Sequence, residues 1–148
     1  MEIIDKVGEV ELAYKPKTKS KQRLETSTDC YEYFLKTYKE TELEYRESFK
    51  VVFLNSNLRP LGWTTVSTGG INNTIVDVRI ILQAALLINA TMLVCCHNHP
   101  SGSTRPSRED DLLTSRIQRA GQIMNIPMLD HIIITTDSFF SYNDEGRL

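Results

Sequence analysis

Thr91 to Cys96 is a short, continuous apolar run, and it constrains the fold more than any other segment. A strand that is apolar on both sides has both sides covered, so it belongs at the centre of a sheet with other elements packed on each face. The flanking sequence has a different rhythm. Val76, Ile80, Ile81, Ala84, Leu87 and Ile88 recur at helical spacing before the run. Leu112, Leu113, Ile117, Ala120, Ile123 and Met124 do so after it. A helix is therefore expected on each side of the central strand.

The rest of the chain supplies the partners. Ser48 to Leu54 is rich in β-branched and aromatic residues and reads as a strand. Asn55-Ser56-Asn57 is turn chemistry, and Leu61 to Val66 returns as a second strand, giving a hairpin. Gly69-Gly70 breaks the pattern and serves a bend, since no Gly-Lys-Ser/Thr follows to cradle phosphate. Thr26 to Asp29 offers helix N-caps, and Tyr31, Phe34, Leu35 and Tyr38 predict a first helix over about 29–40. His131 to Ile134 is a further buried strand and Phe139 to Tyr142 a weaker one. Alternating strands and helices define an α/β class: a single domain with a mixed β-sheet flanked by helices. Residues 1–25 are polar, with the alternating piece Val10 to Tyr14, and are expected to form an arm or edge strand. The domain is assigned to 26–148.

A chain of 148 residues, 41% hydrophobic, can bury a core without disulfides or a structural metal. A metal here would serve chemistry. Cys30, Cys95 and Cys96 are odd in number, and two are adjacent, which points to a reducing compartment and a cytoplasmic protein. No apolar run reaches the roughly 18 residues of a membrane span, and the start is not a signal peptide. The formal net charge of −2 gives no global attraction to nucleic acid. Lys15, Lys17, Lys19, Lys21 and Arg23 do form a local basic stretch that could touch phosphate, although a solvated linker is the favoured account of it.

The chemistry is expected where the central strand ends. His97 and His99 are two apart, and in extended backbone such side chains share one side. Pro100-Ser101-Gly102 then turns the chain. Ser107 and Asp110 open the next helix as a capping box, with Asp at the third position. Two imidazoles and a carboxylate can complete a three-ligand zinc set whose fourth position is left to water. Cys95 shares parity with His97, but a cysteine in an apolar strand acts mainly as a small hydrophobe. His131, at the start of a buried strand, suits a supporting role behind the ligands.

The joint pattern, H-x-H-P followed by S-x-x-D, resembles the JAMM (MPN+) signature. His97 to Gly102, Ser67 to Ile71 with Asp77, Pro106-Ser107 and Leu129 to Ile133 resemble the RadC-like branch over most of 26–148, and the arm Val10 to Pro16 resembles that of short RadC-like proteins. The resemblance implies a JAB/MPN fold, an α-β-α architecture like that of cytidine deaminases. It implies Zn2+ held by His97, His99 and Asp110, and Ser107 steadying the water or the developing oxyanion. It implies a general acid–base glutamate just before an upstream strand, the place of Glu47, with Glu42 and Glu44 as neighbours that the residues alone do not exclude. The implied activity is a zinc metallopeptidase or isopeptidase acting on a peptide or protein. Longer RadC proteins add a helix-hairpin-helix region that is not found here, so its DNA binding is not carried over.

Other classes remain distinguishable. A DNA-repair-associated nuclease or DNA-processing factor is suggested by the RadC label, though His97-Asn98-His99 matches HNH nucleases only in letters. A zinc deaminase needs H-x-E and P-C-x-x-C, and this chain has His99 in place of the glutamate and no C-x-x-C. A non-catalytic zinc-binding interaction module would keep the ligands without using the glutamate.

Overall fold

The computed structural model describes residues 8, 10–16, 20–70 and 73–148. Among these, three helices flank a five-stranded sheet. The order of elements is α1 (Ser27–Leu35), β1 (Ser48–Leu54), β2 (Pro60–Thr68), α2 (Val78–Leu87), β3 (Met92–Asn98), α3 (Arg108–Ile123), β4 (Met128–Ile134) and β5 (Phe139–Ser141). The sheet order is β2-β1-β3-β4-β5, with β3 and β4 parallel and the other pairs antiparallel. The expected mixed sheet is present, and the apolar run sits at its centre as β3.

Burial follows from alternation. Cys95 on β3 joins Phe49, Val51 and Phe53 of β1 in one apolar cluster, completed by Ile81 and Ala85 of α2 and Ile117 of α3. Cys96 points to the opposite face and packs with Val52, Leu54 and Ile132 beside Cys30 and Phe34 of α1. Helix α1 therefore covers one face, and α2 and α3 cover the other. This is the three-layer arrangement that a strand apolar on both sides requires.

The hairpin forms as expected. Asn55 Oδ1 accepts the backbone N–H groups of Asn57 and Arg59, closing the turn between β1 and β2. Helix α1 differs from expectation: it ends at Leu35 rather than near residue 40. The Thr37 hydroxyl donates to the Phe34 carbonyl, and Lys50 Nζ takes the Thr37 carbonyl at 2.6 Å, so the acceptors that would extend the helix are used elsewhere. Tyr38 is still buried, and its hydroxyl donates to the Ser48 carbonyl. Its apolar spacing marked burial rather than helix. Strand β4 begins at Met128, earlier than expected, because Met128 and Asp130 already pair with Leu93 and Val94 of β3; the Asp130 carboxylate is satisfied within the fold, Oδ1 accepting from His131 and Asn143 backbone N–H groups and Oδ2 from the Ser141 hydroxyl.

Val10 to Pro16 form neither helix nor strand, and Val10 and Leu12 are largely exposed. Leu24, by contrast, is buried and donates its N–H to the Leu58 carbonyl at the hairpin turn. No helix among the described residues is long and apolar enough to cross a membrane.

Candidate metal centre

The site forms where three segments meet. His97 is in the last turn-ward stretch of β3 and His99 lies just beyond the strand. The first turn of α3 brings Asp110, and the residue before β1 brings Glu47. Antiparallel pairing sets Phe49 opposite His97, which carries Glu47 past the end of β3. Glu47, His97, His99 and Asp110 thus offer ligand atoms that all lie within 4.8 Å of one another, a group that could hold a metal ion.

The separations suit a metal. His97 Nε2 lies 3.2 Å from Asp110 Oδ1, and His99 Nε2 lies 3.2 Å from Asp110 Oδ2. The two Nε2 atoms are 2.9 Å apart. Bonds of about 2.0–2.1 Å to zinc place tetrahedral ligand atoms roughly 3.3 Å apart. Glu47 Oε1 is the outermost member, 3.6 Å from His97 Nε2 and 3.8 Å from His99 Nε2. The tautomer of His99 also fits. Its Nδ1–H donates to the Ser103 carbonyl at 2.7 Å, which leaves Nε2 with a lone pair facing the group. His97 reaches outward in turn, with Nδ1 2.7 Å from His131 Nε2. All three histidines of the chain thus meet here, His131 as a neighbour rather than a member of the four-residue group.

Helix α3 begins as read from the sequence. Ser107 is its N-cap, with Oγ accepting the Asp110 N–H at 3.0 Å, while Asp110 Oδ2 accepts the Ser107 N–H at 2.8 Å. The same Asp110 carboxylate that caps the helix faces both histidines.

Burial sets the electrostatics. It pushes the Glu47 carboxyl up to about 7, with His99 opposing and Asp110 reinforcing the rise. Burial also raises Asp110, but its contacts with His97 and His99 and the Ser107 N–H outweigh that and hold it well below the usual carboxylate range. Burial lowers His97 below its ordinary value. A cleft of about 870 Å³ opens onto this group, with walls that include Ile75, Leu112, Arg105, Arg116 and Arg119.

The competing residues lie elsewhere. Glu42 accepts the Lys39 N–H, and Glu44 accepts the Thr136 hydroxyl. Cys95 is buried in the apolar cluster, and burial pushes its thiol up. Lys15, Lys21 and Arg23 are exposed and do not line the cleft, while Lys17 and Lys19 lie outside the described residues. Two further residues support the site without standing out in the sequence. Asn98, between the histidines, points to the opposite face and grips the segment before β1. Thr114, one turn into α3, touches His131. Strand alternation was the available signal for Asn98; nothing distinguished Thr114 from any other helical threonine.

The chain matches the RadC-like JAB domain over residues 24–147. It is similar to a UPF0758 protein of Flavobacterium johnsoniae, 45% identical over 100 residues that cover 68% of this chain and 44% of that protein. A UPF0758 protein of Thermotoga maritima is 33% identical over 129 residues, 86% of this chain and 55% of the relative. Another, from Actinobacillus succinogenes, is 41% identical over 116 residues, 77% and 53% of the two chains. The chain spans about half the length of these curated relatives.

Proposed function

The chain belongs to the RadC-like JAB domain family, and on that premise we propose that it is a zinc-dependent hydrolase of amide or isopeptide bonds. The observation that carries this reading is the convergence of Glu47 with His97, His99 and Asp110 beside a cleft of about 870 Å³. His97 and His99, through Nε2, and the Asp110 carboxylate would hold the ion. When bound, zinc would supply Lewis acidity that makes a water more acidic at neutral pH.

The residues divide the remaining work. Glu47 Oε1 takes the proton of the attacking water and passes it to the leaving amine. A carboxyl raised by burial toward neutrality suits both halves of that transfer. Ser107 Oγ accepts from the Asp110 N–H, so its own hydroxyl proton can turn to the oxygen that gains charge. The substrate is a peptide or protein segment laid in the cleft.

The test is to load the purified protein with zinc, quantify the metal, and screen a mixed peptide library together with lysine-linked isopeptides. Wild-type protein should hold about one zinc per chain and cut at least one amide class. Glu47→Gln should keep the zinc and lose about 100- to 10,000-fold in rate. An active Glu47→Gln protein, or zinc-loaded wild-type protein that cuts none of these amides, would overturn the reading. Cleavage of plasmid or single-stranded DNA that depends on Glu47 would replace it with a nuclease.

A further inference from the structure

His131 is fully buried, and both its ring nitrogens are engaged. Nε2 lies 2.7 Å from His97 Nδ1, and Nδ1 lies 2.6 Å from Thr114 Oγ1. The Thr114 hydroxyl has a further partner, the Asp110 carbonyl oxygen, at 2.7 Å. These contacts have a direction that can be read from proton counting. We propose that Thr114 and His131 are positioning residues that lock His97 in the one tautomer able to bind metal through Nε2. The proposal rests on the metal-binding half of the reading above and not on hydrolysis.

A carbonyl oxygen carries no proton, so a 2.7 Å contact with a hydroxyl uses the hydroxyl's only proton. Thr114 therefore donates to the Asp110 carbonyl and has only lone pairs to offer His131. His131 Nδ1 must carry a proton and donate it to Thr114. Enclosure by the Phe49 and Tyr142 rings, with Tyr142 stacked at 5.0 Å, disfavours a charged His131, and among the described residues its ring nitrogens meet only His97 and Thr114. A neutral ring with Nδ1 protonated has a bare Nε2. That lone pair accepts from His97 Nδ1–H, which leaves His97 Nε2 bare and facing Asp110 and His99. The chain of donors starts at His97 and ends at the backbone of Asp110, so one ligand's tautomer is fixed by the helix turn that carries another.

Thr114→Val keeps the shape and removes the acceptor. His131 then either buries an unpaired Nδ1–H or moves its proton to Nε2. In the second case His97 Nδ1 must be bare, and its proton moves to Nε2, where it opposes the metal. Outer partners of metal-bound histidines affect metal affinity by about 10–100-fold, and Thr114→Val should fall in that range. Thr114→Ser restores the hydroxyl and should bind zinc within about threefold of wild type.

The experiment pairs two measurements. Zinc affinity of wild type, Thr114→Val and Thr114→Ser is read by competition with a chromophoric chelator. Histidine ring nitrogen spectra of the metal-free wild-type protein assign the tautomers. The expected result is Nδ1 protonation on both His97 and His131, a Thr114→Val loss, and a Thr114→Ser rescue. An Nε2-protonated His131 in wild type, or wild-type zinc affinity in Thr114→Val, overturns the proposal while leaving zinc binding intact. Wild-type protein that binds no zinc ends the metal reading instead, and the ring spectrum still decides the tautomer. That spectrum needs no variant, so the test survives a Thr114→Val chain that does not fold.

Discussion

Asn98 Oδ1 accepts the backbone N–H of Ser48 at 2.8 Å, so the residue between the two site histidines holds the residue that follows Glu47. Its Nδ2 donates to the carbonyls of Leu43 and Arg46 at 2.9 and 3.0 Å. Asn98 is fully buried and its amide is the cross-link between the β3 terminus and the loop that presents Glu47. Removing one partner from buried hydrogen bonds costs about 1–3 kcal/mol. Asn98→Ala should be destabilised by that amount in urea unfolding. It should also lose more activity than zinc affinity, because the ligands stay in place while Glu47 is released. Equal loss of both would show that Asn98 supports the whole site rather than the Glu47 loop.

Gly69 and Gly70 make a matched pair of controls. Both pair with Glu47 through the backbone, Gly69 N–H donating to the Glu47 carbonyl and Glu47 N–H to the Gly70 carbonyl. A Cβ on Gly69 would collide with the Asn73 carbonyl oxygen, whereas one on Gly70 would meet none of the described residues within 4 Å. Gly69→Ala should cost about 1–3 kcal/mol and impair activity, with Gly70→Ala close to wild type in both. Thermal melts and the Glu47-dependent rate provide the comparison.

The first helix carries a pH signature. Backbone N–H groups of Thr26 and Glu25 hold the Asp29 carboxyl below its ordinary value of 3.8. An acid whose folded pKa is depressed stabilises the fold above the unfolded pKa, and that contribution is lost as pH falls through the folded value. Asp29→Asn should therefore be less stable than wild type at pH 7, with the gap closing below about pH 4. A gap that is constant with pH would assign the effect to geometry rather than charge. Thr26→Ala, which removes the other half of the capping box, should cost about 1 kcal/mol at pH 7.

Metal binding should register as stability. A ligand that binds only the folded state, at a thousand times its Kd, adds about 4 kcal/mol. Zinc should raise the melting temperature of the wild-type protein, and a chelator should reverse the shift without unfolding the chain, since the two apolar clusters include none of the four site residues. His99→Ala should abolish the zinc-dependent shift with little change in the metal-free melting temperature, because His99 lies outside those clusters. A full shift in His99→Ala would remove that residue from the ligand set.

Local periodicity carried much of this site. Strand alternation puts His97 and His99 on one side, and the Ser107 to Asp110 spacing marks the capping box without any tertiary contact. The resemblance pointed to Glu47, but Glu42 and Glu44 were equivalent on residue type. Only the pairing of Phe49 with His97 separates them, and strand register between distant segments is not written in either segment alone. The apolar spacing overextends the first helix because Tyr38 shares it, while its burial is achieved in a turn, with Lys50 taking the carbonyl of Thr37. Asn98 and Thr114 act through backbone carbonyls and a histidine ring, partners that residue identity does not announce.

Asp110 is both a lid on the first turn of α3 and a partner of the histidines. Fraying at that end of the helix is then the same event as losing a ligand. Occupancy of the site should slow amide exchange from Ser107 to Asp111 beyond the slowing of the helix interior. Hydrogen exchange in this one turn becomes a gauge of loading, readable without a substrate.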